Sequence, residues 1–208
     1  LIRIFTGHTN NVTSVCVTPD GKHVITGSYD ETARVWSLDD GAMVRAFEGH
    51  TERVTSVCTA VDGTQVITGS EDTTARLWSL ADGTMVREFV GHQDGVTSVC
   101  MTVDGTQLIT GSDDATARLW SLADGTMVRE FKGHTDYVKS VCATVDGTQL
   151  VTGSYDKTAR VWSLVDGTMV RDFKGHTRQV DAVCTTLDGK QLITGSSDCT
   201  ARLRGFVG

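Results

Sequence analysis

The stretch Gly27-Ser-Tyr-Asp-Glu-Thr-Ala-Arg-Val-Trp36, GSYDETARVW, returns as GSEDTTARLW from Gly69, GSDDATARLW from Gly111 and GSYDKTARVW from Gly153. A fifth copy, GSSDCTARLR from Gly195, ends in Arg204 instead of tryptophan. Working outward, a Gly-His pair precedes each copy, at His8, His50, His92, His134 and His176, always 42 residues apart. Phe5, Phe47, Phe89, Phe131 and Phe173 lead the histidines by three positions. Residues 49–90 and 91–132 share 33 of 42 positions. A fixed period of this length specifies a repeat architecture, because one such unit cannot bury its own apolar face and must stack on its neighbours.

Within the period 91–132, the runs VTSVCMT, QLITGS, ARLWSL and MVREF are rich in β-branched or aromatic residues and are separated by Asp-Gly or Asp-x-Thr. The spacing predicts four short strands, a to d, per repeat. Asp-Gly supplies the positive φ of tight hairpin turns, so consecutive strands pair antiparallel. No helical periodicity is present, and the chain reads as all-β.

A four-stranded repeat of this length, with Gly-His near its start and tryptophan closing strand c, resembles the WD40 repeat, the blade of a β-propeller. The resemblance spans the chain, although the closing pair is Trp36-Ser37 rather than Trp-Asp. It implies one propeller domain over 1–208, with five blades beginning at Gly7, Gly49, Gly91, Gly133 and Gly175. It also implies a structural tetrad in each blade: the Gly-His histidine, a hydroxyl on strand b, the b–c turn aspartate and the strand c tryptophan, linked by hydrogen bonds. The matching residues are His8, Ser28, Asp30 and Trp36 in the first repeat and His50, Ser70, Asp72 and Trp78 in the second. His92, Ser112, Asp114 and Trp120 follow, then His134, Ser154, Asp156 and Trp162, and finally His176, Ser196, Asp198 and Arg204. Buried imidazole, hydroxyl and indole N–H groups each need a partner. A hydrolytic Ser-His-Asp triad is rejected, because a triad is needed once and this set recurs in every repeat.

The segment Leu1-Ile-Arg-Ile-Phe5 matches strand d, and the chain stops soon after strand c of the fifth repeat. Residues 1–5 are therefore expected to pair with the last blade and close a five-bladed ring, removing exposed edges. The same ends serve an intermolecular ring of two chains, or belong to a longer array. The chain begins at Leu1 rather than methionine, which reads as a piece of a longer protein.

Composition excludes several classes. The net charge is −7, and nine aspartates sit in the Asp-Gly pairs of the a–b and c–d turns, which marks framework acid rather than a site. Ten of the nineteen basic residues belong to the repeated Arg34 and Arg45 series, leaving no basic stripe for nucleic acid. No apolar run approaches membrane-spanning length. Cys16, Cys58, Cys100, Cys142 and Cys184 recur at one position and read as small buried hydrophobes, with Cys199 as an exposed thiol. No Cys-x-x-Cys pair occurs, so neither zinc nor redox chemistry is expected. No cofactor is expected either, and an intracellular, cytoplasmic setting fits unpaired cysteines.

A meander sends the d–a loops and b–c turns to one end and the a–b and c–d turns to the other. The a–b and c–d turns are monotonous (VDGT, ADGT), whereas the first set varies. That variable end carries Asn11, Tyr29, Glu31, Arg53, Glu71, Asp113, Tyr137, Lys139, Tyr155, Lys157, Arg178 and Asp181, including all three tyrosines. Tyrosine offers broad contact area at low entropic cost. The expected function is a non-catalytic scaffold that binds a protein or peptide there, and the framework resembles the sensor arrays of NACHT-type intracellular receptors. The alternatives are a glycan-binding or glycosidase propeller, with Glu71 and Asp113 as candidate carboxylates, and a chain with no partner of its own.

Overall fold

A computed structural model describes residues 2–206. The first repeat contains β1 (Val12–Val17), β2 (His23–Ser28), β3 (Ala33–Ser37) and β4 (Met43–Phe47). The second contains β5 (Val54–Thr59), β6 (Gln65–Ser70), β7 (Ala75–Ser79) and β8 (Met85–Phe89). The third runs through β9 (Val96–Met101), β10 (Gln107–Ser112), β11 (Thr116–Ser121) and β12 (Met127–Lys132). The fourth has β13 (Val138–Ala143), β14 (Gln149–Ser154), β15 (Ala159–Ser163) and β16 (Met169–Phe173). The fifth has only β17 (Val180–Thr185), β18 (Gln191–Ser196) and β19 (Thr200–Gly205). Among the described residues these strands make four four-stranded sheets and one three-stranded sheet, each a meander in chain order. The all-β, repeated-sheet expectation therefore holds.

The chain divides into two compact units, Leu1–Val99 and Cys100–Gly208. In the first, Ile25, Ala33, Val35 and Phe47 of one sheet pack on Val54, Val57, Val66 and Trp78 of the next. In the second, Ile109, Leu119 and Phe131 pack the same way on Val138, Val141 and Trp162. Glycine is required where these sheets approach. A Cβ built on Gly69 would lie 2.8 Å from Val96 Cγ1 and 2.9 Å from Val99 Cγ1. The equivalent Gly153 meets Val183 and Val180 at 2.8 and 2.9 Å.

The first strand of most sheets carries a bulge. Between Val12 and Ser14 the register with β2 shifts, and the same shift recurs at Val54/Ser56, Val138/Ser140 and Val180/Ala182. A bulge inserts one residue and re-aims its side chain. The re-aimed residue is Thr13, Thr55, Lys139 or Asp181, so the fold delivers this one position to a neighbouring element.

Two expectations are met only in part. Residues 2–8 form no strand, and Leu1 lies outside the described residues. Closure of the fifth sheet by this segment is not seen among the described residues. The segment nevertheless packs as a strand d does. Phe5 lies 5.9 Å from Trp36, as Phe47 lies 5.6 Å from Trp78, and Arg3 packs on Gly41 as Arg45 does on Gly83. Among the described residues its backbone has side-chain anchors but no ladder. The cysteines are also less buried than expected: Cys16, Cys58, Cys100 and Cys142 are half-buried, and Cys184 is exposed. Burial still pushes the Cys16, Cys100 and Cys142 thiols up to about 12, which keeps them protonated and inert.

Candidate recognition surface

The first, second, fourth and fifth repeats each fix the d–a loop to the b–c turn. In the first repeat, His8 Nδ1–H donates to Asp30 Oδ2 at 2.8 Å, and the same oxygen accepts from the Thr9 amide at 3.0 Å. The Tyr29 amide donates to the Asn11 carbonyl at 2.9 Å. The matching backbone bonds run from Glu71 to Arg53, from Tyr155 to Tyr137 and from Ser197 to Gln179. Variable residues separated by about eighteen positions are thereby brought side by side at one end of each sheet.

The hydrogen-bond chain inside the sheets differs from the expected tetrad at one member. The hydroxyl that joins histidine to tryptophan is Thr26, not Ser28. Trp36 Nε1–H donates to Thr26 Oγ1 at 2.8 Å, and Thr26 in turn bonds His8 Nε2 at 2.7 Å. Thr68 joins Trp78 to His50, and Thr152 joins Trp162 to His134, in the same way. Thr110 accepts from Trp120. Register explains the substitution. Trp36 pairs with Val24, so its indole reaches the adjacent same-face position, 26, and stops short of 28. Ser28, and likewise Ser70 and Ser154, instead accept the amide of the turn aspartate two residues on and donate to a d–a loop carbonyl. Ser112 and Ser196 accept the amides of Asp114 and Asp198. In the first, second, fourth and fifth repeats the imidazole bonds aspartate and threonine rather than serine, which is not the geometry of a Ser-His-Asp triad.

Burial raises the Asp30 pKa, but hydrogen bonds from Thr32, His8 and Thr9 outweigh it and hold the carboxyl well below the usual carboxylate range. Asp72, Asp156 and Asp198 are lowered likewise, Asp198 chiefly by Thr200. The repeated arginines complete this frame. Arg34, Arg76, Arg118 and Arg160 lie 3.7–4.0 Å from the aspartate four residues earlier. In the fifth repeat His176 still bonds Thr194 and Asp198, but Arg204 does not reach the serine hydroxyl. Its guanidinium donates to the Lys174 carbonyl at 2.8 Å and lies 5.6 Å from the Phe173 ring.

On this frame the variable side chains form two clusters. In the first unit the Arg53 guanidinium stacks 4.4 Å over the Tyr29 ring and pairs with Glu71 at 3.7 Å. In the second, Lys139 Nζ lies 5.3 Å from the Tyr155 ring and 6.0 Å from the Tyr137 ring, and pairs with Asp113 at 3.4 Å. The two tyrosine rings are 5.7 Å apart. Lys139 occupies the bulge position, which turns it toward this pair. Asn11, Glu31, Lys157, Arg178 and Asp181 are exposed around these clusters, and Asp181 accepts from Ser197 at 2.6 Å. Glu71 and Asp113 each engage a cation, and so serve here as partners of Arg53 and Lys139.

Sequence reasoning missed one property of this end. Glu31, Thr73, Ala115, Lys157 and Cys199 all adopt left-handed backbone, with φ from 64° to 71°. Such values cost energy for side chains larger than glycine, and the only signal was the position, third in every b–c turn. The opposite end carries open depressions, one lined by Lys22, His23, Ser37 and Leu38 and another by Val103, Gln107, Asp146 and Leu164. No group of three or more metal-ligating side chains occurs among the described residues, and no helix there is long and apolar enough to cross a membrane.

No curated protein matches the chain. The family model described as "WD domain, G-beta repeat" matches at residues 1–37, 41–79, 83–121, 125–163 and 167–204. Five consecutive matches, together with a Gly-His histidine, turn aspartate and threonine held in one geometry in the first, second, fourth and fifth repeats, leave a single conclusion: the chain belongs to the WD40 repeat family.

Proposed function

We propose that the chain is a non-catalytic scaffold that binds a protein or peptide through the variable end of its blades. WD40 repeats generally mediate protein–protein scaffolding and are typically non-catalytic. The observation that carries the reading is the Tyr137–Tyr155–Lys139 cluster: two aromatic rings 5.7 Å apart and a cation within 6.0 Å of both. Tyr137 remains 43% exposed, so its apolar ring face is offered to solvent. Aromatic anchors beside a paired charge are the usual composition of a protein-binding hot spot. The Tyr29–Arg53–Glu71 cluster supplies a second anchor of the same chemistry. In this reading the five repeats act as one domain, and residues 1–5 supply strand d to a fifth blade.

The test is affinity capture with the parent chain and a Tyr137→Ala, Tyr155→Ala variant, read by quantitative mass spectrometry. At least one protein should be retained by the parent and depleted about tenfold or more on the variant, as loss of two hot-spot side chains implies. Equal retention on both would remove this surface from the function. Retention by neither would mean that the chain has no partner of its own.

A further inference from the structure

In the fourth and fifth repeats the variable end has its acceptors engaged and its donors left over. Asp113 pairs with Lys139 Nζ at 3.4 Å, Asp136 accepts the Tyr137 amide at 2.8 Å, and Asp181 accepts the Ser197 hydroxyl at 2.6 Å. The Lys157 ammonium, the Arg178 guanidinium and the phenol hydroxyls of Tyr137 and Tyr155 meet no acceptor among the described residues. Lys157 and Arg178 are also exposed. The excess belongs to these repeats and not to the framework, because the equivalent positions of the first unit carry the opposite charge. Glu31 stands where Lys157 does, and Glu52 where Arg178 does.

Lys139 distinguishes this cluster further. At the same bulge position Thr13 donates to the Val54 carbonyl at 2.6 Å, and Thr55 donates to the Val96 carbonyl at 2.5 Å, so each clasps the next sheet. Lysine at this place gives up a structural contact. Its ammonium goes instead to Asp113 and to the Tyr155 and Tyr137 rings, 5.3 and 6.0 Å away. The side chain is still 29% exposed, and an ammonium has three N–H donors, more than Asp113 takes. Held between two rings and a carboxylate, the charge is already ordered, and an incoming anion has less entropy to remove.

We propose that the partner segment is acidic, and that an aspartate or glutamate carboxylate docks on the Lys139 ammonium, with the tyrosine hydroxyls and Lys157 as further donors. The proposal rests on the reading of this end as a protein-binding surface and names the partner's chemistry. A cationic segment would have to displace Lys139 from both rings and from Asp113, whereas an anion adds to the cluster without breaking a contact. A carboxylate fits better than a phosphate, because Asp113 beside the ammonium repels a dianion more than a monoanion.

Fluorescence anisotropy of the full chain with three labelled hexapeptides tests this: hexaglutamate, hexalysine and one alternating glycine with phosphoserine. Hexaglutamate should bind most tightly, and its binding should weaken as salt is raised. Lys139→Thr installs the residue of the first and second repeats, so it should fold, which circular dichroism checks, and it should weaken hexaglutamate binding by about tenfold or more. Lys157→Thr, the residue of the second repeat, should weaken it severalfold. Lys190→Thr makes the same charge change in an a–b turn at the opposite end, where Thr64, Thr106 and Thr148 are the counterparts, and should leave binding unchanged. Equal losses for Lys139→Thr and Lys190→Thr would reduce the binding to general charge attraction and overturn the site. Preference for hexalysine or for the phosphoserine peptide would overturn the carboxylate. If no probe binds while capture of a protein still depends on Tyr137 and Tyr155, the partner is not acidic and the surface reading stands; if capture does not depend on them either, both fall.

Discussion

Replacing Thr68 with valine removes one hydroxyl and leaves the side-chain shape nearly unchanged. Thr68 is fully buried, accepts from Trp78 Nε1 at 2.9 Å and bonds His50 Nε2 at 2.6 Å. Valine would leave the indole N–H and an imidazole nitrogen without partners among buried groups, and each orphaned group costs about 1–3 kcal/mol. Together they predict a loss of about 2–6 kcal/mol. For a chain of this size, at about 2–4 °C per kcal/mol, that corresponds to roughly 4–24 °C in melting temperature. Ser70→Ala is the matched control, because Ser70, itself buried, bonds the amide of half-buried Asp72 and the carbonyl of exposed Glu52, groups that water can reach once the hydroxyl is gone. Its loss should stay near ~1 kcal/mol. Urea denaturation followed by tryptophan fluorescence measures both, with Trp78 as the local reporter. If Ser70→Ala proves as costly as Thr68→Val, or Thr68→Val costs less than about 1 kcal/mol, the threonine is not the hub of the blade.

Three further outcomes follow from the same geometry. The turn aspartates have folded pKa values below their unfolded ones, so their contribution is present above about pH 4 and is lost as pH falls below it; stability measured from pH 7 to 3 should drop, and Asp72→Asn should lower the pH 7 value and flatten the slope. Ala115→Gly relieves a φ of 64° and should raise stability by about 0.5–1 kcal/mol, whereas Ala117→Gly, buried on β11, should lower it; equal signs in thermal melts would contradict the backbone argument. Arg204→Trp should raise the melting temperature by a few degrees, since an indole can donate to Thr194 where the guanidinium now reaches the Lys174 carbonyl; no change would mean that the fifth blade packs without that site.

The Asp-x-Thr turns and the short β-branched runs were legible because they act locally. A hairpin turn needs positive φ at a fixed place, and a strand needs alternating burial, so both leave marks within a few residues. The hub hydroxyl was not legible in the same way. Thr26 and Ser28 lie on the same strand face, and only the pairing of Trp36 with Val24 decides which of them the indole meets. The variable end was readable as a set of positions, yet its clusters were not. Arg53 stacks on Tyr29 of the preceding blade, and Lys139 reaches Asp113, 26 residues earlier.

By itself, the sequence determined the period, the four-strand unit, the family and the end of each blade where variation collects, because each follows from short-range spacing repeated in register. Tertiary structure alone decided which hydroxyl joins the histidine to the indole, that the b–c turns hold left-handed residues, and that Val12 and Val15 stay uncovered while their repeats are buried. Identical local sequences cannot encode these differences. They arise from which neighbour stands against each copy.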